Sequence, residues 1–112
     1  MNDVNPNPMK DFNPFSCLPL REALVNNLDY LGYSKMMPIQ AESLPSMLKG
    51  QDIIAQAKTG SGKTAAFGLA LLNDLNVENF AVQALVLCPT RELAEQVCQA
   101  LRQLARLLPN IK

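Results

Sequence analysis

Histidine and tryptophan are both absent from this chain. Without histidine there is no His-ligated metal site, no Ser-His-Asp or Cys-His triad and no imidazole general base. An excess of positive charge is missing too: Lys+Arg is 10 and Asp+Glu is 10, a formal net charge of zero. That excludes a protein that grips nucleic acid or anionic membrane by bulk charge alone. Long apolar runs are also lacking. The longest, Ala65 to Leu72 counting Gly68, has eight residues, whereas a helix crossing a bilayer needs about 20. The opening residues, MNDVNPNPMKDFNP, have neither the basic start nor the apolar stretch of a secretory signal. No membrane association is expected, and the cytoplasm is the expected location. Cysteine is scarce: Cys17, Cys88 and Cys98 are an odd number without CxxC spacing. They are expected to be reduced and to serve as small buried hydrophobes.

What is present is a globular composition, 48% apolar and 18% charged over 112 residues, enough for one domain at most. Residues 1–14, rich in Asn and Pro, read as a flexible arm. Leu20, Leu24, Leu28 and Leu31 then recur on one helical face, with Pro19 suited to the first turn and Gly32 to the end. A second helix is expected from about Pro38 to Leu48, closed by Gly50, with Pro45 disturbing its regularity. Asp52 to Gln56 (DIIAQ) reads as a short strand, and Ala65 to Leu75 as a helix rich in Ala and Leu. Ala81 to Cys88 (AVQALVLC) reads as a strand buried on both faces, as parallel sheets require. Pro89 stops it. Thr90 caps a long helix whose core face is Leu93, Val97, Leu101, Leu104 and Leu108, ended by Pro109 and Asn110. Strand and helix alternate, so the fold class is α/β.

Between the first strand and its helix lies AKTGSGKT at 57–64. Gly60 and Gly62 let the backbone turn at little steric cost, so that successive N–H groups make an anion-binding nest. Thr59 and Ser61 supply further N–H donors. The following helix adds the positive end of its dipole. Lys63 can place a point charge on the β- and γ-phosphates, the Thr64 hydroxyl suits Mg²⁺, and Lys58 adds charge at the rim. The spacing is that of the phosphate-binding Walker A loop, with Ala57 where Gly is usual. By composition alone the pattern arises in about 1 of 100 chains this long. The other reading is a flexible surface turn that contains a lysine; the flanking strand and helix argue against it.

At these residues the chain resembles the DEAD-box RNA helicases. AKTGSGKT is that family's form of the loop, leading Ala57 included. GYSKMMPIQ at 32–40 resembles its Q motif, with Phe15 as the upstream aromatic, and PTRELA at 89–94 resembles its motif Ia. The resemblance implies a P-loop NTPase fold, a RecA-like parallel sheet flanked by helices. Residues 15–112 would be the amino-terminal part of the first RecA-like domain, hence a partial domain. It implies ATP and Mg²⁺ as cofactors, with Lys63 and Thr64 catalytic and Thr64 on the metal. The nucleotide contacts would be Tyr33, Lys35, Gln40 and the loop residues Ala57, Lys58, Thr59, Gly60, Ser61, Gly62, Lys63 and Thr64. Tyr33 would stack on adenine with Lys35 nearby, and Phe15 would buttress the pocket. Gln40 has a physical rationale as well: a carboxamide pairs with adenine N6 and N7, and guanine places an acceptor where adenine has its donor. Read as residues alone, Tyr33 and Phe15 could equally be core aromatics and Gln40 a helix-start residue.

RNA is the implied partner. Pro89, Thr90 and Arg91 would meet its phosphate backbone, contacts that carry no sequence information; alternatively Arg91 is a solvated helix start. Glu92 opposes phosphate and reads as an internal partner. Arg102, Arg106 and Lys112 read as a solvated face. QAKTGSGKTAAFGLALL and ALVLCPTRELAEQV most resemble a bacterial subgroup acting on large-subunit ribosomal RNA, so a role in large-subunit assembly is implied. The chain contains no Asp-Glu-Ala-Asp and no Ser-Ala-Thr. By resemblance the former would supply the metal-side carboxylate and orient the attacking water. The rest of the helicase core, with its arginine fingers, is the missing partner. The alternative function is a nucleotide-binding module without turnover. In the family the two strands here are not neighbours, so exposed edges and weak stability, or pairing with another chain, are expected.

Overall fold

The computed structural model describes residues 14–58 and 60–111. The arm expected at 1–14 therefore lies outside the described residues except for Pro14, as do Thr59 and Lys112. A short 3-10 turn at Pro14–Cys17 leads into the first leucine-patterned segment. That segment becomes α1, Glu22–Leu31, with Leu24 and Leu28 buried on one face. It starts later than Pro19 suggests, because the backbone before it is tied elsewhere. The Arg21 N–H donates to Asn73 Oδ1 at 2.7 Å, and Asn73 Nδ2 donates to the Pro19 carbonyl at 3.1 Å. The Arg21 guanidinium adds a bond to the Leu75 carbonyl. Gly32 ends α1 in the left-handed region at φ 86.

The second helix, α2, spans Pro38–Leu48, the bounds expected from sequence, and carries Pro45 within it. Gly50 closes it as expected. With φ 80, it donates its N–H to the Met47 carbonyl while the Gln51 N–H reaches Ser46, the paired bonds of a Schellman end. The third, α3, spans Lys63–Asp74 and begins two residues earlier than the Ala/Leu pattern. The fourth, α4, spans Arg91–Leu104. Thr90 caps it as expected, its Oγ1 accepting from the Leu93 N–H at 3.1 Å. Leu108 lies beyond the helix end but still packs on the core.

Phe15, Leu24, Leu28, Leu44, Leu69, Leu72 and Leu104 form one buried cluster with Ala65 and Ala105. All four helices contribute to it. Their joint burial of apolar surface packs the four helices into one body.

The expected parallel sheet is not found: among the described residues there is no strand. Segments 52–56 and 81–88 run without a ladder, since a strand needs a neighbour and neither segment has one. Their apolar side chains remain in solvent: Ile54 is 98% exposed, Val82 92% and Leu87 84%. Val86 and Cys88 instead line a groove of about 790 Å³ against Leu72, Val97 and Leu101 of the helices. Leu93, expected in the core face of α4, is 39% exposed for the same reason.

One further expectation changes. Cys17 and Cys98 are exposed and Cys88 is half-buried, all as free thiols; Cys98 lines the groove that no sheet fills. Phe15 is fully buried, which suits a core aromatic and a buttress of the pocket alike. Arg106 is exposed, as the solvated-face reading expects, and its guanidinium lies 3.9 Å from the Tyr30 ring centroid and bonds to Asn27.

Candidate functional site

The turn before α3 is shaped by two glycines in the left-handed region, Gly60 at φ 84 and Gly62 at φ 87. A side chain at either position would be strained. The Ser61 N–H closes back on the Lys58 carbonyl at 3.1 Å, and the first helical bond runs from the Ala66 N–H to the Gly62 carbonyl at 3.1 Å. The N–H groups of Lys63, Thr64 and Ala65 precede that bond, and a helix start offers such donors to a ligand. Ser61 Oγ is buried and has no hydrogen-bond partner among the described residues. A buried hydroxyl left in that state is costly unless something else satisfies it. Lys63 is exposed and its Nζ donates to the Ala57 carbonyl at 2.9 Å. The ammonium thus folds back over the turn, and a bound anion would have to draw it from Ala57. Thr64 is half-buried in the first turn of α3, and Lys58 is exposed at the rim.

Gln40 joins the second expected motif to this turn. It stands in the first turn of α2, buried to 4% exposure. Its Oε1 accepts the Met37 N–H at 2.9 Å, and its Nε2 donates to the Gly62 carbonyl at 3.1 Å. One amide orientation satisfies both bonds, which fixes the assignment of its oxygen and nitrogen. Gln40 is therefore a helix-start residue and also a contact of the glycine turn. One N–H and one lone pair of the amide stay unspent in these two bonds. Gly62 permits the approach: a Cβ there would stand 2.5 Å from Gln40 Nε2 and 3.0 Å from Met37 Cγ.

Tyr33 follows directly on the end of α1. Its backbone N–H donates to the Leu28 carbonyl at 2.9 Å, and the residue is 38% exposed, so it is no core aromatic. Lys35 is exposed in the turn between α1 and α2. The structure thus brings Gln40, Ala57, Gly62 and Lys63 together through hydrogen bonds. Pro89, Thr90 and Arg91 form a separate exposed patch at the start of α4. The Thr90 oxygen is engaged as a cap, which leaves its hydroxyl proton to donate.

Sequence reasoning missed two bonded residues. Met37 offers its backbone N–H to Gln40, and the signal was available: Pro at the first helical position with Gln at the third is a capping pattern. Asn27 is fully buried, and its signal was a polar residue inside the leucine face of α1.

The DEAD/DEAH box helicase family profile matches residues 37–112. The chain is 57% identical over 104 residues to the ATP-dependent RNA helicase DbpA of Escherichia coli (strain K12), covering 93% of this chain and 22% of that protein. It is 50% identical over 97 residues to the ATP-dependent RNA helicase DeaD of Klebsiella pneumoniae, covering 87% of this chain and 15% of that protein. It therefore spans about a fifth or less of the curated relatives it matches. Among solved structures, a DEAD box protein from the hyperthermophile Methanococcus jannaschii superposes with a TM-score of 0.82 at 37% identity, over 90% of this chain and 28% of that one. Saccharomyces cerevisiae Dbp5 bound to RNA and ADP BeF3 superposes with a TM-score of 0.81 at 34% identity, over 86% of this chain and 25% of that one.

Proposed function

Because the chain belongs to the DEAD/DEAH box helicase family, we propose that it is the ATP-binding portion of an ATP-dependent RNA helicase that remodels structured RNA. The triphosphate lies in the 57–64 turn, held by its backbone N–H groups and Lys63. Tyr33 stacks on the adenine, Lys35 stands beside it, and Gln40 reads its edge. The observation that carries this reading is the Gln40 bridge to Gly62, which sets a purine-reading amide against a phosphate-binding turn. The orphaned Ser61 hydroxyl fits a site that a polar ligand completes. Mg²⁺ would be held by the Thr64 hydroxyl, an oxygen donor suited to that hard cation, and would supply charge neutralisation at the phosphates.

Pro89, Thr90 and Arg91 contact the RNA phosphate backbone, positioning the strand without reading its sequence. The resemblance of QAKTGSGKTAAFGLALL and ALVLCPTRELAEQV to the subgroup that acts on large-subunit ribosomal RNA supports that RNA as the substrate, during large-subunit assembly in the cytoplasm. Among the described residues no helix is long and apolar enough to cross a membrane. The 112 residues alone bind nucleotide without turning it over, since they contain no Asp-Glu-Ala-Asp carboxylates to orient water.

The test is a hybrid helicase in which this chain replaces the matching segment of E. coli DbpA. RNA-stimulated hydrolysis of ATP is expected, with kcat/KM about 10–100-fold lower for GTP, the discrimination that a bidentate amide–adenine pair supplies. Gln40→Ala also frees the Gly62 carbonyl, so the ATP/GTP ratio is the quantity to read. That ratio should collapse to within about threefold once the amide's base discrimination is gone. Equal rates with both nucleotides in the unmutated hybrid would refute the reading.

A further inference from the structure

Met37 stands where the start of α2 meets the glycine turn. It precedes Pro38 with extended backbone and is the N-cap of α2. Ser, Thr, Asp and Asn cap helices well because they present a side-chain oxygen; a thioether is only a weak acceptor. The Met37 backbone N–H donates to Gln40 Oε1 at 2.9 Å. Its side chain reaches the turn: the point that a Cβ on Gly62 would occupy is 3.0 Å from Met37 Cγ and 2.5 Å from Gln40 Nε2. The thioether arm and the amide nitrogen therefore flank the same small space. That nitrogen donates one N–H to the Gly62 carbonyl at 3.1 Å and, among the described residues, keeps the other.

Met37 is also open to oxidants in solution. It is 43% exposed, whereas Met36 and Met47 are half-buried and packed against the hydrophobic cluster. None of Met37, Gln40 and Gly62 lines the groove beside segment 81–88; their contact is made by α2 and the glycine turn. Hydrogen peroxide transfers one oxygen atom to the thioether lone pair. An S–O bond forms, the O–O bond breaks and water leaves; the sulfur loses two electrons and the peroxide gains them. The product sulfoxide is polar, and its oxygen is a stronger acceptor than the sulfur it replaces. The sulfur is one bond from Cγ and the oxygen one bond further, so the new acceptor comes within reach of Gln40 Nε2.

We propose that Met37 is an oxidation site that controls purine reading: its sulfoxide oxygen takes the remaining Gln40 N–H, which adenine N7 otherwise accepts. The proposal rests on the helicase reading above and adds to it a reversible modification of the same site. Gln40 is buried and anchored at Met37 and Gly62, so its amide cannot turn to offer adenine another donor. ATP then loses one of its two contacts to the amide. GTP, whose base Gln40 does not read, loses nothing there. Methionine sulfoxide returns to the thioether through sulfoxide reductases, one for each epimer.

The experiment uses the hybrid helicase and its Met37→Leu variant, each compared with its own untreated sample. Both are exposed to hydrogen peroxide and then to dithiothreitol, which reverses disulfides and sulfenic acids at cysteine but leaves methionine sulfoxide. Peptide mass spectrometry should find Met37 oxidised before Met36 and Met47. As its sulfoxide accumulates, kcat/KM for ATP should fall about tenfold, the loss of one hydrogen bond to the base. The value for GTP should stay within about twofold; general damage would lower both alike. Methionine sulfoxide reductases A and B together should restore the ATP value. The Met37→Leu hybrid, with no sulfur at that position, should keep its ATP/GTP ratio through the treatment. Three results overturn the proposal while the helicase reading stands: Met37 left intact while Met36 or Met47 oxidises, an unchanged ratio with Met37 fully oxidised, or the same fall in Met37→Leu. An untreated hybrid that hydrolyses ATP and GTP equally overturns both.

Discussion

Replacing Lys63 by Ala should lower kcat/KM for ATP about 10²–10³-fold in the hybrid helicase, the loss that follows removal of one preorganised charge donor at a reacting group. Its stability should hardly change. Lys63 is exposed, and among the described residues its Nζ bonds to the Ala57 carbonyl, a surface interaction whose removal falls within about 0.5 kcal/mol. The reason for so large an effect on one quantity and so small an effect on the other lies in the geometry. In the structure the ammonium rests on its own turn, where water can replace it. With phosphate bound, nothing else among the described residues of the turn except Lys58 carries a positive charge, and Lys58 sits at the rim. Urea unfolding together with steady-state kinetics checks both halves. A variant within about threefold of the parent would remove Lys63 from the site, since that is far below a donor's usual effect.

Gly62→Ala should be the most damaging single methyl in the chain. Two costs coincide at this position. The backbone is left-handed at φ 87, which costs an alanine roughly 1–2 kcal/mol. The new Cβ would also stand 2.5 Å from Gln40 Nε2, and Gln40 is only 4% exposed, so it cannot swing away without giving up its bonds to Met37 and Gly62. Overpacking of this kind costs roughly 1–3 kcal/mol more. The sum, about 2–5 kcal/mol, should appear as a lowered urea midpoint by circular dichroism, with loss of ATP binding. Gly60→Ala is the internal comparison: its φ is 84, yet a Cβ there would meet nothing within 4 Å. It should show the strain alone, about 1–2 kcal/mol. Equal destabilisation by the two variants would mean that the contact with Gln40 contributes nothing.

The helices were legible in the sequence where a local residue fixes them. Pro38 and Gly50 bound α2, Thr90 starts α4, and Gly32 ends α1, because capping and backbone freedom act within a few residues. The end of α4 was not legible. Apolar spacing continues to Leu108, but Asn27, more than seventy residues away in sequence, takes the Gln103 and Leu104 carbonyls. Nor could Pro19 reveal that α1 starts late, since Asn73 of α3 holds the backbone before it. The strands failed for a different reason. DIIAQ and AVQALVLC have the composition of buried strands, but a strand is a relation between two segments, and composition describes only one. The glycine turn was legible because its pattern is written contiguously, in Gly60, Gly62 and Lys63. The purine side was not: only the family resemblance linked Gln40 to that turn, and the structure places the two in hydrogen-bond contact.

The central claim is that one nucleotide spans the 57–64 turn and Gln40. It is tested most directly by titrating the ¹⁵N-labelled chain with Mg-ADP and following its amide signals. The account predicts that the Gly60 and Gly62 N–H signals and the Gln40 side-chain NH₂ pair shift together along one saturation curve, and that Mg-GDP moves the glycines but not the Gln40 pair. Glycine shifts with a stationary Gln40 under Mg-ADP, or no shifts at either place, would contradict it.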